Sequence, residues 1–109
     1  MRRLLTPEQK MSITEKQKRH LKKLAHSLKP VVMVGQNGLT DGVYNELDAA
    51  LETHELVKVR INAGDREERM EMLDGICKKT GSVLVQRIGH VAIFFRRNPK
   101  KPKIVIPAI

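Results

Sequence analysis

The segment from Val31 to Ile61 limits the fold more than any other part of the chain. Val31-Val32-Met33-Val34 is a short apolar run with the length and β-branched content of a buried strand. Gly35-Gln36-Asn37-Gly38 follows, then Thr40, which can cap a helix running through His54. Leu56–Ile61 alternates, with Val57, Val59 and Ile61 on one side and Lys58 and Arg60 on the other, as in a strand buried on one face. Two strands joined through a helix of this length lie parallel, with a crossover that is right-handed in nearly all cases. The chain is therefore α/β.

The flanking segments extend this unit. Thr14 with Gln17 three residues on has the form of a capping box and opens a helix over Glu15–Leu28, which Pro30 stops. Its packing stripe is Leu21, Leu24, Ala25 and Leu28, while Lys16, Lys18, Arg19, Lys22 and Lys23 cover the rest. The second helix has Val43, Leu47, Ala50, Leu51 and His54 inside and Asp41, Asp48, Glu52 and Glu55 outside. After Asn62-Ala63-Gly64, Asp65 and Glu68 offer another capping box to a helix that ends near Gly81 and packs through Met70, Leu73, Ile76 and Cys77. Val83–Ile88 and Val91–Arg96, separated by Gly89-His90, form an antiparallel hairpin. The sum is an N-terminal helix plus βαβαββ with a four-stranded mixed sheet. Because one strand shows a basic outer face, helices are expected on a single side, which makes a two-layer domain.

A chain of 109 residues holds one such domain, here residues 12–97. Residues 1–11 read as a flexible extension, and residues 98–109 as a basic Pro/Lys-rich tail with an apolar end that should lie along the body. The net charge of +9 is concentrated at the two ends: residues 1–30 carry +7 and residues 96–109 carry +5, while the middle carries −3. Such a distribution favours a polyanionic partner. Cys77 is the lone cysteine, so internal disulfides and zinc-finger spacing are excluded and a reducing cytoplasm fits. The basic start meets Pro7, Glu8 and Lys10 before any apolar leader builds, and no membrane-spanning run occurs.

Enzymatic constellations are lacking. The four histidines are not spaced as a metal set, and the glycine loop lacks the Lys-Ser/Thr of a nucleotide-binding loop. His54 reads as a packed or capping histidine, Cys77 as core, and the acidic cluster around Asp65 as a solvated helix face. Two glycines free the backbone of Gly35–Gly38 for positive φ and remove side chains that would keep a phosphate at a distance. The loop feeds a helix N-terminus, where unpaired amides attract anions, although Asp41 weakens that trap. Only Tyr44, Phe94 and Phe95 are aromatic, few for a stacking platform, so contacts to phosphate and sugar of folded RNA are expected over single-strand reading.

The runs Lys16–His26, Lys29-Pro30-Val31-Val32 and Gly35-Gln36-Asn37-Gly38-Leu39-Thr40, followed by His54–Val59, Thr80-Gly81 and Ile88-Gly89, resemble the CRM domain, the chloroplast RNA splicing and ribosome maturation module, in its stand-alone bacterial YhbY form. That resemblance spans roughly Ser12 to Arg96. It implies a fold similar to the C-terminal domain of bacterial translation initiation factor three, RNA binding, and association with precursors of the large ribosomal subunit. The family usually ends its last strand with Leu-Tyr-Arg, where this chain has Phe94-Phe95-Arg96.

The expected RNA-binding residues are Lys16, Arg19, Lys22 and Lys23 on the first helix and Gly35, Gln36, Asn37 and Gly38 in the loop, with Lys58, Arg60 and Arg96 in second rank. The expected partner is structured RNA, ribosomal RNA or pre-large-subunit particles, bound by a cytoplasmic monomer without catalysis, cofactor, metal, membrane or small-molecule substrate. The alternative is a general basic module that binds nucleic acids or acidic proteins without RNA specificity. An RNA-processing enzyme is a third reading, for which no acid-base pair is evident.

Overall fold

The computed structural model describes residues 13–98, 100, 101 and 104; the extension expected over residues 1–11 and most of the tail lie outside them. Helix α1 (Glu15–His26) starts at Thr14, whose hydroxyl accepts from the Gln17 amide at 3.1 Å while the Gln17 side chain accepts from the Thr14 amide at 3.0 Å. It ends two residues short of Leu28. The remaining elements follow the expected order: β1 (Val32–Val34), α2 (Asp41–His54), β2 (Leu56–Ile61), α3 (Arg66–Thr80), β3 (Val83–Ile88) and β4 (Val91–Phe95). Thr40 caps α2, Asp65 and Glu68 form the capping box of α3, and Gly81 ends α3 in the left-handed region at φ +71°.

The sheet order is β1-β2-β4-β3, with β1 and β2 parallel and both β2/β4 and β3/β4 antiparallel. Alternation along the strands divides the sheet into two apolar faces. Val32, Val34, Val57, Val59, Ile61, Ala92 and Phe94 meet Leu47 and Leu51 of α2 and Leu73 and Ile76 of α3 in the larger core. Leu56, Ile93, Phe95 and Val85 point the other way and are buried with Leu21 and Ala25 of α1. The expectation of helices on one side only is thus corrected. Leu56 and the second half of the Phe94-Phe95 pair supply an apolar patch on the face that Lys58 and Arg60 mark as polar, and the amphipathic α1 covers it.

Seven side chains depart from their expected placement. Leu24 and Leu28, expected on the packing stripe of α1, are exposed because the buried line of that helix is Leu21 and Ala25 alone, and Val31 and Met33, expected in a buried strand, are exposed because β1 is an edge strand buried through Val32 and Val34 only. Met70 is 46% exposed, because the buried line of α3 runs through Leu73, Ile76 and Thr80. His54 is exposed at the end of α2. Glu55, expected on the acidic outer face, is 1% exposed and occupies the α2 C-cap at φ +63°. Its carboxylate accepts from the backbone amides of Asn98 and, at 2.7 Å, of Ile104, so a buried carboxylate fastens the start of the tail to the body. Ile104 packs beside the α1 core, as expected of the apolar tail end; residues 105–109 lie outside the described set.

The register of β3 shifts between Leu84 and Gln86. With Val85 as the extra residue, Gln86 pairs with Ile93, Arg87 with Ala92 and Ile88 with Val91. Without the bulge Ile88 would face the larger core. With it, Ile88 emerges on the α1 side of the sheet and is 62% exposed.

Candidate nucleic-acid interface

Parallel pairing of β1 and β2 delivers the Gly35–Gly38 loop and the Asn62–Gly64 loop to the same end of the sheet, where antiparallel pairing also places the Gly89-His90 turn. The Gly38 amide donates to the Gly35 carbonyl at 2.9 Å, which closes Gly35–Gly38 as a four-residue turn. Only Gly38 adopts positive φ, at +72°; Gly35 does not, and a Cβ built on it would meet nothing within 4 Å. The expectation that both glycines are needed for backbone freedom is therefore corrected. Gly38 serves the turn, and Gly35 leaves open space.

Among the described residues, the amides of Gln36 and Asn37 carry no intramolecular hydrogen bond, and both side chains are exposed. The turn thus presents two backbone donors and two amide side chains to solvent, the chemistry that a phosphate oxygen accepts from. Beside it lies a cleft of about 490 Å³ lined by Gln36, Asn62, Ala63, Gly64 and His90. Hydrogen bonds fix its walls: the Ile61 amide donates to the His90 carbonyl at 2.7 Å, and His90 Nδ1 lies 3.0 Å from the Ile61 carbonyl oxygen. Arg69 holds the Gly64 carbonyl at 2.8 Å, and Arg60 Nε donates to Asn62 Oδ1 at 3.2 Å.

Helix α1 supplies the larger cationic surface. Leu24 borders an apolar groove with Leu28, Leu56 and Ile104, at the sheet end away from the glycine loop. At 100° per residue, Lys18 and Lys22 fall on the opposite flank of the buried Leu21–Ala25 stripe, and so on the side towards the loops. Both are half-buried, as stems lying along the sheet would be. Lys16, Arg19 and Lys23 are exposed on the outer side of the helix. Of the residues expected from sequence, Lys58 and Arg60 share the sheet face that α1 packs on, Arg60 towards the glycine loop and Lys58 also lining the groove at the other end, and Lys22 lies on the helix above that face; Lys18, one turn before Lys22, belongs with it, although the expected set leaves it out.

Arg96 is elsewhere. It follows β4 at the far end of the sheet, 16% exposed, with its guanidinium donating to Asp48 Oδ1 at 2.6 Å, the Thr80 carbonyl at 2.9 Å, the Asp48 carbonyl at 3.0 Å and Glu52 Oε2 at 3.2 Å. It ties α2 to the end of α3, and its donors are committed to that task.

Charge divides between the two faces. Among the described residues, α1, the segment after it and the sheet face beneath carry Lys16, Lys18, Arg19, Lys22, Lys23, Lys29, Lys58 and Arg60 against the single acid Glu15. All other described carboxylates belong to α2, α3 and their caps. No group of three or more metal-ligating side chains occurs among the described residues, and no described helix is long and apolar enough to cross a membrane. Cys77 is half-buried at the edge of the larger core; burial first, and the nearby Asp74 carboxylate second, push its thiol pKa up.

Residues 13–96 match the model of the CRS1/YhbY (CRM) domain. The chain belongs to the CRM family. A protein of Pseudomonas aeruginosa named as a probable RNA-binding protein is 46% identical over 93 residues, 85% of this chain and 89% of the relative. An RNA-binding protein of Haemophilus influenzae is 44% identical over 96 residues, 88% of this chain and 96% of that one. The solution structure of a hypothetical protein of Staphylococcus aureus superposes with a TM-score of 0.76 at 31% identity, covering 88% of this chain and all of that one. The CRM fold expected from the motifs is therefore present here, with α1 as the helix that gives the domain its cationic face.

Proposed function

We propose that this CRM protein binds folded RNA through a surface composed of the loop-facing flank of α1, Lys58, Arg60 and the Gly35–Gly38 turn. The observation that carries this reading is the segregation of charge: eight cations against one carboxylate on the α1 side, with the acids gathered on α2 and α3. A polyanion is attracted to one face and repelled by the other, so the protein approaches RNA in one orientation. Lys18 and Lys22 neutralise phosphates, Lys16, Arg19 and Lys23 extend the field, and the Gln36 and Asn37 amides take a phosphate at close range. The names of the relatives support RNA as the polyanion. The family resemblance supports a role without catalysis in maturation of the large ribosomal subunit.

Filter binding to ribosomal RNA fragments and to duplex DNA over a range of salt concentrations tests the reading. RNA is expected to bind more tightly, and Lys18→Ala with Lys22→Ala should flatten the log–log salt slope by roughly two, about 0.9 for each phosphate left without its lysine. Equal affinity for DNA would favour a general basic module. Co-sedimentation with precursors of the large subunit in cell extract tests the ribosomal assignment, and an RNA-binding protein that stays out of those fractions would sink it.

A further inference from the structure

We propose that the part of the sheet left bare by α1 is a site for unpaired nucleotides of RNA, with bases lying against Met33, Arg60 and Ile88 and the sugar and phosphate in the cleft of Gln36, Asn62, Gly64 and His90. The proposal rests on the RNA-binding reading and adds to it a second mode of contact, to bases as well as to the phosphate chain.

Strand register places Met33 beside Arg60, Arg60 beside Val91 and Val91 beside Ile88, all on the α1 side. α1 covers the rows beginning at Leu56 and leaves this one open: Met33 is 59% and Ile88 62% exposed, the two highest values among the large apolar side chains of the described residues. With strands about 4.8 Å apart, four strands make a row roughly 14 Å wide, enough for more than one base lying flat. Met33, the half-buried Val91 and Ile88 share the row with Arg60, so that an exposed strip of the sheet is apolar with one cation set into it. The bulge in β3 is what brings Ile88 to this face.

The chemistry of the row selects the occupant. Arg60 is oriented by Asn62 Oδ1, so its guanidinium plane is available for a base to stack on, with Met33 beside it on β1, Val91 beside it on β4 and Ile88 one strand further along the row. No carboxylate lies on this sheet face, while Lys18, Lys22 and Lys58 border it, which suits a polyanion that also presents flat apolar surfaces. The adjoining cleft fits the rest of a nucleotide. Asn62 spends its side-chain oxygen on Arg60 and keeps its NH₂ for a phosphate. His90 Nδ1 faces the Ile61 carbonyl and so carries the proton; in the neutral ring Nε2 is an acceptor, which matches a ribose 2′-hydroxyl donor.

The test uses the full chain, an RNA hairpin with a large unpaired loop, the blunt RNA duplex of its stem, and the same hairpin with a deoxyribose loop. Met33→Ser combined with Ile88→Ser changes only exposed side chains, and unchanged melting confirms that the fold is intact. Expected is a roughly fivefold loss of affinity for the hairpin, the low end of what stacking a base contributes, with the duplex changed less than twofold. The deoxyribose loop should bind wild type more weakly than the ribose loop, and His90→Ala should abolish that difference. Equal losses on hairpin and duplex, or no loss, would overturn the base site; a ribose preference that survives His90→Ala would remove the cleft from it. Wild type that binds these RNAs no better than duplex DNA would overturn the RNA reading itself, whereas wild type that binds them and a double variant that matches it would overturn this inference alone.

Discussion

Replacing Gly35 and Gly38 separately by alanine distinguishes what the turn does for the fold from what it does for binding. Gly38 has φ +72°, and an added Cβ would come no nearer than 3.9 Å to Met72 Cε, an ordinary contact. The cost of Gly38→Ala is therefore the left-handed backbone alone, about 1–2 kcal/mol, or a fall in Tm of at least 4 °C at roughly 4–8 °C per kcal/mol. Gly35 lies outside the positive-φ region and its Cβ would enter open space. Gly35→Ala should leave Tm unchanged, or raise it slightly because alanine restricts the unfolded chain, by up to about 1 kcal/mol. If a phosphate seats against Gly35 to reach the Gln36 and Asn37 amides, that same Cβ stands in its path. Loss of one hydrogen bond to a charged group, about 1.5–3 kcal/mol, then weakens RNA binding by tenfold or more. Thermal melts followed by circular dichroism, and anisotropy of a labelled RNA at fixed salt, read the two effects independently. A Gly35→Ala protein that melts as early as Gly38→Ala would refute the backbone assignment. One that is stable and binds RNA like wild type would remove the turn from the interface.

Three further outcomes follow from particular contacts. Arg96→Ala should lower stability by about 1–2 kcal/mol in urea denaturation, a figure kept small because Asp48 and Glu52 are largely exposed, and the folded variant should bind RNA within twofold of wild type; a flattened salt slope would return Arg96 to the interface. Gly64→Ala should destabilise more than Gly38→Ala, since its Cβ would come within 2.8 Å of Glu68 Cβ at φ +74° and disturb the α3 capping box; comparison of the two melting temperatures checks the order. Cys77 is held above its ordinary value of 9.0, so the unfolded chain loses this proton before the folded one does. Stability is then present below about pH 9 and declines as pH rises through the folded pKa. Cys77→Ala should remove that part of the alkaline decline, and alkylation of the wild-type thiol at neutral pH should be slow.

Much of the architecture was legible because it is encoded locally. Both capping boxes, the Thr40 cap, the Gly81 stop and the alternation of Leu56–Ile61 each depend on residues within five positions of one another. What was not legible depends on pairing across the sheet. Val83-Leu84-Val85 is apolar throughout, so nothing in it marks an extra residue, and the face on which Ile88 emerges is settled by register against β4. Arg96 reads as a free cation at the end of a strand because Asp48 and Glu52 lie 48 and 44 positions away. Glu55 reads as one more acid on an acidic helix, and only the returning tail, through the amides of Asn98 and Ile104, gives its carboxylate a reason to be buried. The loop and α1 were visible as separate motifs; that α1 lies on the side of the sheet carrying Lys58 and Arg60 required the second apolar patch to be seen as a patch.

That second patch explains why a domain this small can keep its cations together. Had α1 joined α2 and α3 on the same face, Lys18 and Lys22 would stand among Asp41, Asp48, Glu52 and the acids of α3, and a polyanion would meet a surface of mixed sign. Burying Leu21 and Ala25 against Leu56, Ile93 and Phe95 puts the thickness of the sheet between the two sets. The Arg96 ion pairs with Asp48 and Glu52 then act on the acidic side, where they offset repulsion between α2 carboxylates one turn apart without drawing on the α1 cations. Charge segregation is thus a consequence of where one amphipathic helix finds its apolar partner. It follows that loosening α1 from the sheet, for instance by Leu21→Ala, should impair RNA binding even though Leu21 is fully buried and touches no RNA. The cavity should cost about 2–5 kcal/mol, and the affinity lost should be regained at low temperature, where the helix is seated in a larger fraction of molecules. A Leu21→Ala protein with a displaced α1 and undiminished affinity would show that the placement of this helix does not set the binding surface.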